Sequence, residues 1–242
     1  MTVSEPTPLE CQQLKVTAPH AETFWHRVRF ELVGQIADRT RASRVLDIGA
    51  GSGLLGDWLA THQAVVEYRY EETSPKLDAA LEERFGTERR SDPAERISSS
   101  TLVAMLDVLE HLDDDATALR MIVKRMERGA HLVVTVPALQ WAFSSWDTEL
   151  GHFRRYSRHA LRELVEAAGL AVQQCDYLFP ELLPLLAVRK LRRAKRADAD
   201  FPQLRPAVAR IGYRISSATA SARRVWPAGT SVVLVARRDT SG

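Results

Sequence analysis

The stretch RVLDIGAGSGLLG, residues 44–56, decides the fold, because an apolar segment typical of a buried strand runs into four glycines. Two patterns overlap within it. Residues 51–56 read G-x-G-x-x-G, the dinucleotide fingerprint, and residues 47–53 read D-x-G-x-G-x-G. Either pattern predicts a strand, a turn whose backbone closely approaches a ligand, and a helix that offers its N-terminus to that ligand. The stretch therefore predicts a nucleoside site.

Asp47 separates the two patterns. A carboxylate two residues before the first glycine would repel the pyrophosphate of a nicotinamide cofactor, whereas a ligand with an ammonium and a sulfonium group would tolerate it. S-adenosylmethionine is such a ligand and has no phosphate. An acid at the end of the second strand, Glu71 or Glu72, is expected to hold ribose hydroxyls in either case. We therefore expect methyl transfer, with a nicotinamide oxidoreductase as the alternative.

Composition narrows the class of protein further. The chain has 242 residues, 45% hydrophobic and 26% charged, and a formal net charge of only +2, so no global nucleic-acid signature is present. Its two cysteines, Cys11 and Cys175, make no metal-binding pattern, and we predict no metal site. No run of 18 apolar residues and no N-terminal signal segment is visible, so we expect a cytoplasmic protein.

Strand and helix patterns alternate along the chain. After a polar arm at residues 1–19, the segment 20–39 repeats apolar residues in steps of four from Phe24 to Ile36, which predicts a helix. Strands are predicted at 43–49, 64–70, 101–108, 130–137, 170–179 and 230–238, and helices at 53–62, 74–85, 113–128 and 157–169. This order predicts a mostly parallel sheet with helices on both faces, although the last two strands lack β-α-β spacing.

Four segments resemble the class I S-adenosylmethionine-dependent methyltransferases. VLDIGAGSG (45–53) resembles their first motif, and AMLDVLEHL (104–112) resembles the segment after strand four in the branch of the ubiquinone-pathway O-methyltransferases. GAHLVVTVPA (129–138) resembles their fifth strand, and GHFRRYSRHALRELVEAAGL (151–170) resembles a stretch of small-molecule enzymes. The resemblance implies a Rossmann-like, mostly parallel seven-stranded sheet whose last strand is antiparallel beside the sixth, with helices on both faces and a helical insertion before the last strand.

The resemblance also implies the residues that hold the cofactor, S-adenosylmethionine. Glu72 matches the ribose-binding acid, with Glu71 as the fallback, and Asp92 matches an acid that meets the adenine amino group. Asp107 matches a position near the transferring methyl. The methionine and ribose part would be lined by the first motif, at Asp47, Gly49, Ala50, Gly51 and Gly53.

Two histidines are the candidates for acid–base chemistry. Methyl transfer to a hydroxyl benefits from proton removal, and His111 and His152 both follow strands that open onto the ligand edge of the sheet. His111 could instead cap a helix or pack beneath the cofactor, and His152 could orient its loop rather than take a proton.

Substrate contacts are expected from the loop that contains His152 and from the N-terminal helix. Arg154, Arg155 and Tyr156 would suit an anionic group, unless the arginines form salt bridges to the N-terminal helix or to residues 147–149. Trp25, with its neighbouring arginines, could cover the cofactor as a lid, or it could face the core.

Three regions are expected. Residues 1–40 form an N-terminal arm and lid helix, residues 41–180 and 230–242 form the catalytic domain, and residues 181–229 form a basic helical insertion with eleven Lys and Arg against three acids. We favour the insertion as a lid over the acceptor pocket.

The predicted function is a methyltransferase acting on a small molecule, at oxygen, in natural-product or quinone- or lipid-type metabolism. N- or C-methylation, and a non-catalytic nucleoside-binding protein of the same fold, are the alternatives. Nucleic acid is excluded from the predicted partners, because LDVLEH (106–111) replaces the Pro-Pro-Tyr-type tetrad of base methylases. A membrane surface, contacted weakly through residues 181–229, and a second copy of the chain are further candidate partners.

Overall fold

The computed structural model describes residues 7–15, 23–63, 66–191 and 206–239. Within them, six strands form one mixed sheet. They are β1 (Arg44–Ile48), β2 (Glu67–Glu71), β3 (Thr101–Leu106), β4 (His131–Pro137), β5 (Ala171–Leu178) and β6 (Ser231–Arg237). Their order across the sheet is β2-β1-β3-β4-β6-β5.

Helices separate most of these strands along the chain. They are α1 (Pro8–Lys15), α2 (Phe24–Thr40), α3 (Leu54–His62), α4 (Pro75–Phe85), α5 (Asp115–Arg125), α6 (Ser145–Glu149), α7 (Arg158–Ala167), α8 (Leu183–Leu191) and α9 (Pro206–Ser221). Among the described residues, no helix has both the length and the apolar character needed to cross a membrane.

The register brings the carboxyl ends of the parallel strands to one edge. β1 lies between β2 and β3, with Asp47 opposite Tyr70 on one side and Ala104 on the other. β6 runs antiparallel to both neighbours, with Leu234 opposite Val134 of β4 and Cys175 of β5. The expectation of a reversed last strand is confirmed, and the reversal explains why the last two strands lacked β-α-β spacing.

The expected seventh strand is not present in the described part of the chain. Beyond β2 the structure has only a single parallel bridge, between Tyr70 and Arg90. The chain turns directly afterwards, since the Asp92 carboxylate accepts the backbone N–H of Ala94 at 2.8 Å and Pro93 has no N–H to donate to a ladder. The prediction of seven strands is therefore corrected to six.

The core consists of two apolar layers, one on each face of the sheet. Because successive strand residues point to opposite faces, Val45 belongs to the layer under α2 and α3, and Leu46 belongs to the layer under α5 and α7. The predicted helical period is confirmed, because Phe24, Val28, Leu32 and Ile36 are all buried in α2. Burying each such side chain contributes about 1.5–3 kcal/mol.

Three helices begin directly after a Ser or Asp residue whose side chain caps the first turn. Ser74 and Ser157 accept the backbone N–H groups of Leu77 and Ala160 at 3.4 and 3.1 Å, and Asp114 accepts that of Thr117 at 2.9 Å. These caps satisfy donors that have no partner inside the helix. They fix where α4, α7 and α5 begin.

Part of the N-terminal polar arm is helical, and the insertion before the last strand contributes two further helices. Residues 8–15 form helix α1, which packs beside α4, and the rest of the arm apart from Thr7 lies outside the described residues. The insertion supplies α8 and α9, and residues 192–205 between them are also outside that range. α9 packs on α2, where the Tyr213 hydroxyl donates to Glu31 at 2.6 Å and the Arg27 guanidinium lies 4.0 Å above the Tyr213 ring.

Candidate active site

The glycine turn after β1 adopts a backbone that only glycine takes easily. Gly49, Gly51 and Gly53 have φ angles of 73°, 56° and 74°, in the left-handed region. Space is also limited, because a Cβ on Gly53 would lie 2.5 Å from the Phe85 ring and a Cβ on Gly49 would lie 2.9 Å from Val108. The turn therefore packs closely on α4 and on the end of β3.

Glu72 lies against this turn. One carboxylate oxygen accepts the backbone N–H of Gly51 at 2.9 Å, and the other accepts those of Thr73 and Ser74 at 2.7 and 2.9 Å. The acid at the end of β2 is thus held beside the glycine turn, where a ribose would meet both.

Glu71 has a different environment. Its carboxylate is buried and pairs with Arg125 of α5, with one N–O distance of 2.9 Å, while its backbone carbonyl accepts the N–H of Gly49 at 2.8 Å. Both Glu71 carboxylate oxygens pair with a cationic guanidinium, so Glu72 is the better candidate for the ribose acid, and the fallback assignment of Glu71 stays a prediction. Ala50 continues the turn, with its N–H 3.4 Å from the same carbonyl.

Asp47 lies beneath the turn rather than on its surface. Its side chain is 4% exposed and accepts the Tyr68 hydroxyl at 3.1 Å. Burial raises the pKa of this carboxyl to about 7, and the charge of Glu72 adds to the shift. A buried carboxyl with a single hydroxyl partner gains from a nearby positive charge.

The two other predicted cofactor acids lie at the edge of the site. Asp92 is exposed and caps its own turn, while Asp107, at the end of β3, has a φ angle of 56° and accepts the Thr135 hydroxyl at 3.2 Å. Arg29 of α2 lies 3.3 Å from Asp107 and donates to Ser231 at 3.0 Å. Arg29 therefore fixes the end of β3, and the expected role of this arginine in a lid is not supported by its contacts.

His111 and His152 lie edge to face, with ring centroids 4.6 Å apart, although 41 residues separate them in the chain. The Nδ1 atom of His152 lies 3.1 Å from Asp147, which is fully buried. Burial and, to a smaller extent, the neighbouring His152 lower the pKa of His111 to about 4, although the charge of Asp107 opposes the shift, so His111 is neutral at physiological pH. The two candidate bases are thus brought together at one point.

The arginines beside His152 point inward to acids. Arg155 donates to Asp147 at 2.7 Å, and Arg154 lies 2.9 Å from Asp115. Although burial alone would favour the neutral acid, hydrogen bonds from His152 and Arg155 lower the pKa of Asp147 to about 2. The guanidinium groups of both arginines brace the loop here, and their substrate-binding role stays a prediction. For Arg155, the partner lies in the 147–149 segment named as the alternative.

Tyr156 and Trp25 are also placed in packing rather than on the surface of a pocket. The Tyr156 hydroxyl is buried 2.6 Å from Asp115, and burial raises its pKa well above the usual range. Trp25 packs on the core, with its ring 4.8 Å from that of Phe24 in an edge-to-face contact. Each of these side chains holds a helix or loop against its neighbour, and the substrate role of the two residues stays a prediction.

Sequence reasoning missed residues on two segments. Gln13 of α1 accepts the Ser52 N–H at 3.2 Å, and Glu10 accepts the Ser74 hydroxyl at 2.5 Å, so α1 lies over the glycine turn. Glu110 is fully buried between the two histidine segments, and neither of its carboxylate oxygens has a hydrogen-bond partner among the described residues. Glu110 directly precedes the candidate base His111, but nothing in the sequence indicates that Glu110 is buried.

A glycine turn at β1 and an acid at the end of β2, both on the carboxyl edge of a parallel sheet, define a Rossmann-like nucleoside-binding protein. A family model described as "Methyltransferase domain" matches residues 21–175, well over half of the chain. The chain belongs to this family, the class I S-adenosylmethionine-dependent methyltransferases, and its cofactor is S-adenosylmethionine. The match is to the family as a whole, so the ubiquinone-pathway branch stays a prediction.

Solved structures share the fold at low sequence identity. A methyltransferase in complex with the Trm112 methyltransferase activator of Haloferax volcanii is 15% identical, with a TM-score of 0.62 over 98% of this chain and 100% of that one. A sarcosine dimethylglycine methyltransferase of Galdieria sulphuraria is 14% identical, with a TM-score of 0.58 over 87% and 85%. No sequence among the curated proteins is similar enough to this chain to count as a match.

A third similar structure contains the cofactor. Phosphoethanolamine N-methyltransferase 2 of Haemonchus contortus, in complex with S-adenosylmethionine, is 17% identical, with a TM-score of 0.51 over 82% of this chain and 49% of that one.

The first likeness corrects the predicted partners. Those were a small molecule, a membrane surface or a second copy of the chain, with nucleic acid excluded, whereas the Haloferax protein of the same fold is held by a separate activator protein. The exclusion of nucleic acid was therefore wrong, and a separate protein partner was not foreseen, because a protein of this fold forms a complex with an activator protein.

Proposed function

We propose that this protein transfers a methyl group from S-adenosylmethionine to a small-molecule acceptor, at an oxygen atom. The observation that carries the proposal is the pair formed by His111 and His152, at 4.6 Å between ring centroids. His111 follows β3, the strand that ends beside the glycine turn, and His152 follows α6. Packing of Val108 on Gly49 links that strand end to the turn. A group that can assist loss of a hydroxyl proton therefore lies close to the cofactor edge.

The cofactor supplies an electrophilic methyl group on a sulfonium. The residues proposed to hold it fit that ligand. Glu72 offers carboxylate oxygens beside the turn for ribose hydroxyls, and the buried Asp47 gains a counter-charge from an ammonium group. The turn from Gly49 to Gly53, including Ala50 and Gly51, has a left-handed backbone with few side chains, so the cofactor can approach its backbone closely. Asp92 for the adenine amino group and Asp107 near the methyl complete the proposed set.

His152 is the better placed of the two imidazoles. Asp147 holds one of its ring nitrogens, which orients the ring and leaves the other nitrogen for the acceptor side. His111 is neutral at physiological pH and adds no positive charge that would repel a sulfonium. The pair is therefore suited to activate a hydroxyl acceptor next to a cationic methyl donor.

The basic insertion, residues 181–229, is proposed to shape the acceptor pocket. Its first part is anchored by Glu181, which accepts the hydroxyls of Ser216 and Thr219 of α9 at 2.5 and 2.9 Å. α9 in turn packs on α2, whose Arg29 reaches Asp107 at the end of β3. The insertion is thus mechanically connected to the active-site edge of the sheet.

Nitrogen is the second candidate acceptor atom, because two similar structures are named for amine substrates, sarcosine or dimethylglycine and phosphoethanolamine. A macromolecular acceptor with a separate activator protein is the other alternative, favoured by the likeness to the Haloferax protein over nearly the whole chain.

Calorimetry tests the cofactor directly, with S-adenosylmethionine and NAD titrated into separate samples. We expect binding of the first alone. A panel of small hydroxylated acceptors and amines, assayed by formation of S-adenosylhomocysteine, then identifies the acceptor atom. Turnover confined to amines would overturn the assignment of oxygen.

The role of the histidines is tested with His152→Ala and His111→Ala at saturating acceptor, beside His159→Ala on the exposed face of α7 as the matched control. We expect kcat to fall by about 100-fold or more for His152→Ala, the range of general acid–base assistance, and to stay unchanged in the control. Full turnover by His152→Ala would refute its assignment.

A further inference from the structure

Glu110, His111 and His152 each offer one ligand atom, and these three atoms all lie within 4.8 Å of one another. Glu110 is 0% exposed, and neither carboxylate oxygen has a hydrogen-bond partner among the described residues. A buried carboxyl group without a hydrogen-bond partner destabilises the folded protein, so we expect a bound group to interact with it.

We propose that Glu110, His111 and His152 form a binding site for a divalent first-row transition-metal cation, of which Zn²⁺ is the best match. Two imidazoles and one carboxylate are the ligands that such ions prefer, whereas Mg²⁺ and Ca²⁺ favour oxygen donors alone. Three protein ligands leave at least one coordination position open for water or an acceptor atom.

The surroundings of the three residues support a cation. The Asp147 carboxylate lies 3.1 Å from Nδ1 of His152, the arrangement that orients a metal-bound imidazole through its other nitrogen. Asp147 is itself fixed by Arg155 at 2.7 Å and by the Ser144 N–H at 2.9 Å. The ligand on one segment is therefore held rigid before any ion binds.

The second segment is tied to the first by the backbone. The N–H of Phe153, next to His152, donates to the carbonyl of Glu110 at 2.7 Å. The carbonyl groups of Leu150 and Gly151 interact with the His111 ring and restrict its orientation. This contact holds the loop after α6 against the turn after β3, which keeps the three donors near one point.

Charge around the cluster also favours a cation. The carboxylates of Glu110 and its neighbour Asp107 repel each other, and the guanidinium groups of Arg29 and Arg155 attract Glu110. With Asp147 included, the cluster and its surroundings contain three carboxyl groups against two guanidinium groups, which already pair with Asp107 and Asp147. Glu110 is the carboxyl group that remains without a cationic partner at contact distance.

The use of this ion in methyl transfer rests on the proposed function. A divalent ion lowers the pKa of a hydroxyl that it binds, so the bound ion would activate the acceptor oxygen in place of direct proton removal by His152, which would then act as a ligand. Binding of the ion itself needs neither cofactor nor acceptor. Its measurement can therefore fail or succeed independently of the methyltransferase assignment.

The test uses the full chain without a tag, freed of metal by a chelator and dialysed against Zn²⁺, with bound zinc counted by elemental analysis. We expect a single tightly bound ion per chain. Titration with Co²⁺ in place of zinc should give the visible absorption of a site with nitrogen and oxygen ligands. Substoichiometric zinc, or Co²⁺ that keeps its aqueous spectrum, would overturn the proposal.

Variants assign the ion to these residues. Glu110→Gln and His152→Ala should weaken Zn²⁺ binding by at least about tenfold, the lower limit measured even for residues that only support a ligand. The matched controls, Glu163→Gln and His159→Ala on the exposed surface of α7, should bind as the unchanged protein does. Equal affinity in all four variants would place any bound zinc elsewhere and refute the site.

Thermal unfolding of the metal-free proteins separates loss of a ligand from loss of the fold. Because Glu110 has no partner to lose, metal-free Glu110→Gln should melt at or above the temperature of the unchanged protein, and only the rise in melting temperature on adding Zn²⁺ should disappear. A variant that melts lower without metal yet keeps the full rise would contradict the proposal.

Discussion

Glu72 at the end of β2 accepts a hydrogen bond from the backbone N–H of Gly51 at 2.9 Å, across 21 residues of sequence. This bond joins the acid that is expected to hold the ribose to the turn that is expected to lie beneath the rest of the nucleoside. The two parts of the cofactor site are thereby positioned relative to each other before any ligand arrives, which reduces the ordering that binding requires.

Glu72→Gln should weaken S-adenosylmethionine binding by about tenfold, because it removes a charged acceptor whose hydrogen bonds contribute about 1.5–3 kcal/mol each. Calorimetry gives the dissociation constant. Glu83→Gln, on the exposed face of α4, is the matched control and should bind normally. Unchanged affinity in Glu72→Gln would exclude this residue as the ribose acid.

Glu71→Gln should lower the stability of the protein and leave its affinity for S-adenosylmethionine unchanged. The Glu71 and Arg125 side chains are 9% and 16% exposed, so removing the charge leaves a guanidinium with little solvent to replace its partner. We expect the free energy of unfolding to fall by up to about 3 kcal/mol, measured in urea, while the affinity for S-adenosylmethionine stays the same. A stable variant with weakened cofactor binding would reverse the assignments of Glu71 and Glu72.

Gly53→Ala should destabilise the protein more than Gly169→Ala does. Both glycines have positive φ angles, 74° and 94°, so each substitution costs about 1–2 kcal/mol of backbone strain. Only at Gly53 does a Cβ also meet packed side chains, 2.5 Å from Phe85 and 2.7 Å from Leu81, while Gly169 has nothing within 4 Å. Urea unfolding compares the two, and equal losses would mean that α4 moves freely away from the turn.

Asp47→Asn should change how stability depends on pH. The folded-state pKa of Asp47 is raised from 3.8 to about 7, so between these values the folded protein keeps a proton that the unfolded chain has released. Asp47 therefore makes stability fall as pH rises through this window, by at most about 1.4 kcal/mol per pH unit.

The measurement is the difference in unfolding free energy between Asp47→Asn and the unchanged protein at several pH values without cofactor. That difference should favour the variant increasingly from about pH 4 to about pH 7 and then level off. A difference that is independent of pH would show that Asp47 ionises normally. Burial also raises the pKa of Asp57 on α3, although Arg84 opposes the shift, so Asp57→Asn should show a pH dependence of the same sign.

The reversed last strand was expected from the family resemblance alone, whereas the sequence by itself determined the alternation of strands and helices and the ligand edge. These features depend on local signals: apolar periodicity in α2, caps at Ser74 and Ser157, and glycines in the turn after β1. Each arises from the backbone and its nearest neighbours, so it can be predicted before distant segments are placed. The prediction of a seventh strand was wrong, because a turn at Asp92 ends the pairing with β2 after one bridge.

Only the tertiary structure decided which charged residues are available to a ligand. Glu71 and Glu72 are adjacent in sequence, yet one faces Arg125 and the other faces the turn, because successive residues at a strand end point in different directions. Arg154 and Arg155 likewise found buried acids. Glu110 and His152 became neighbours through the docking of two loops 42 residues apart, a contact that depends on long-range packing and leaves no local signal in the sequence.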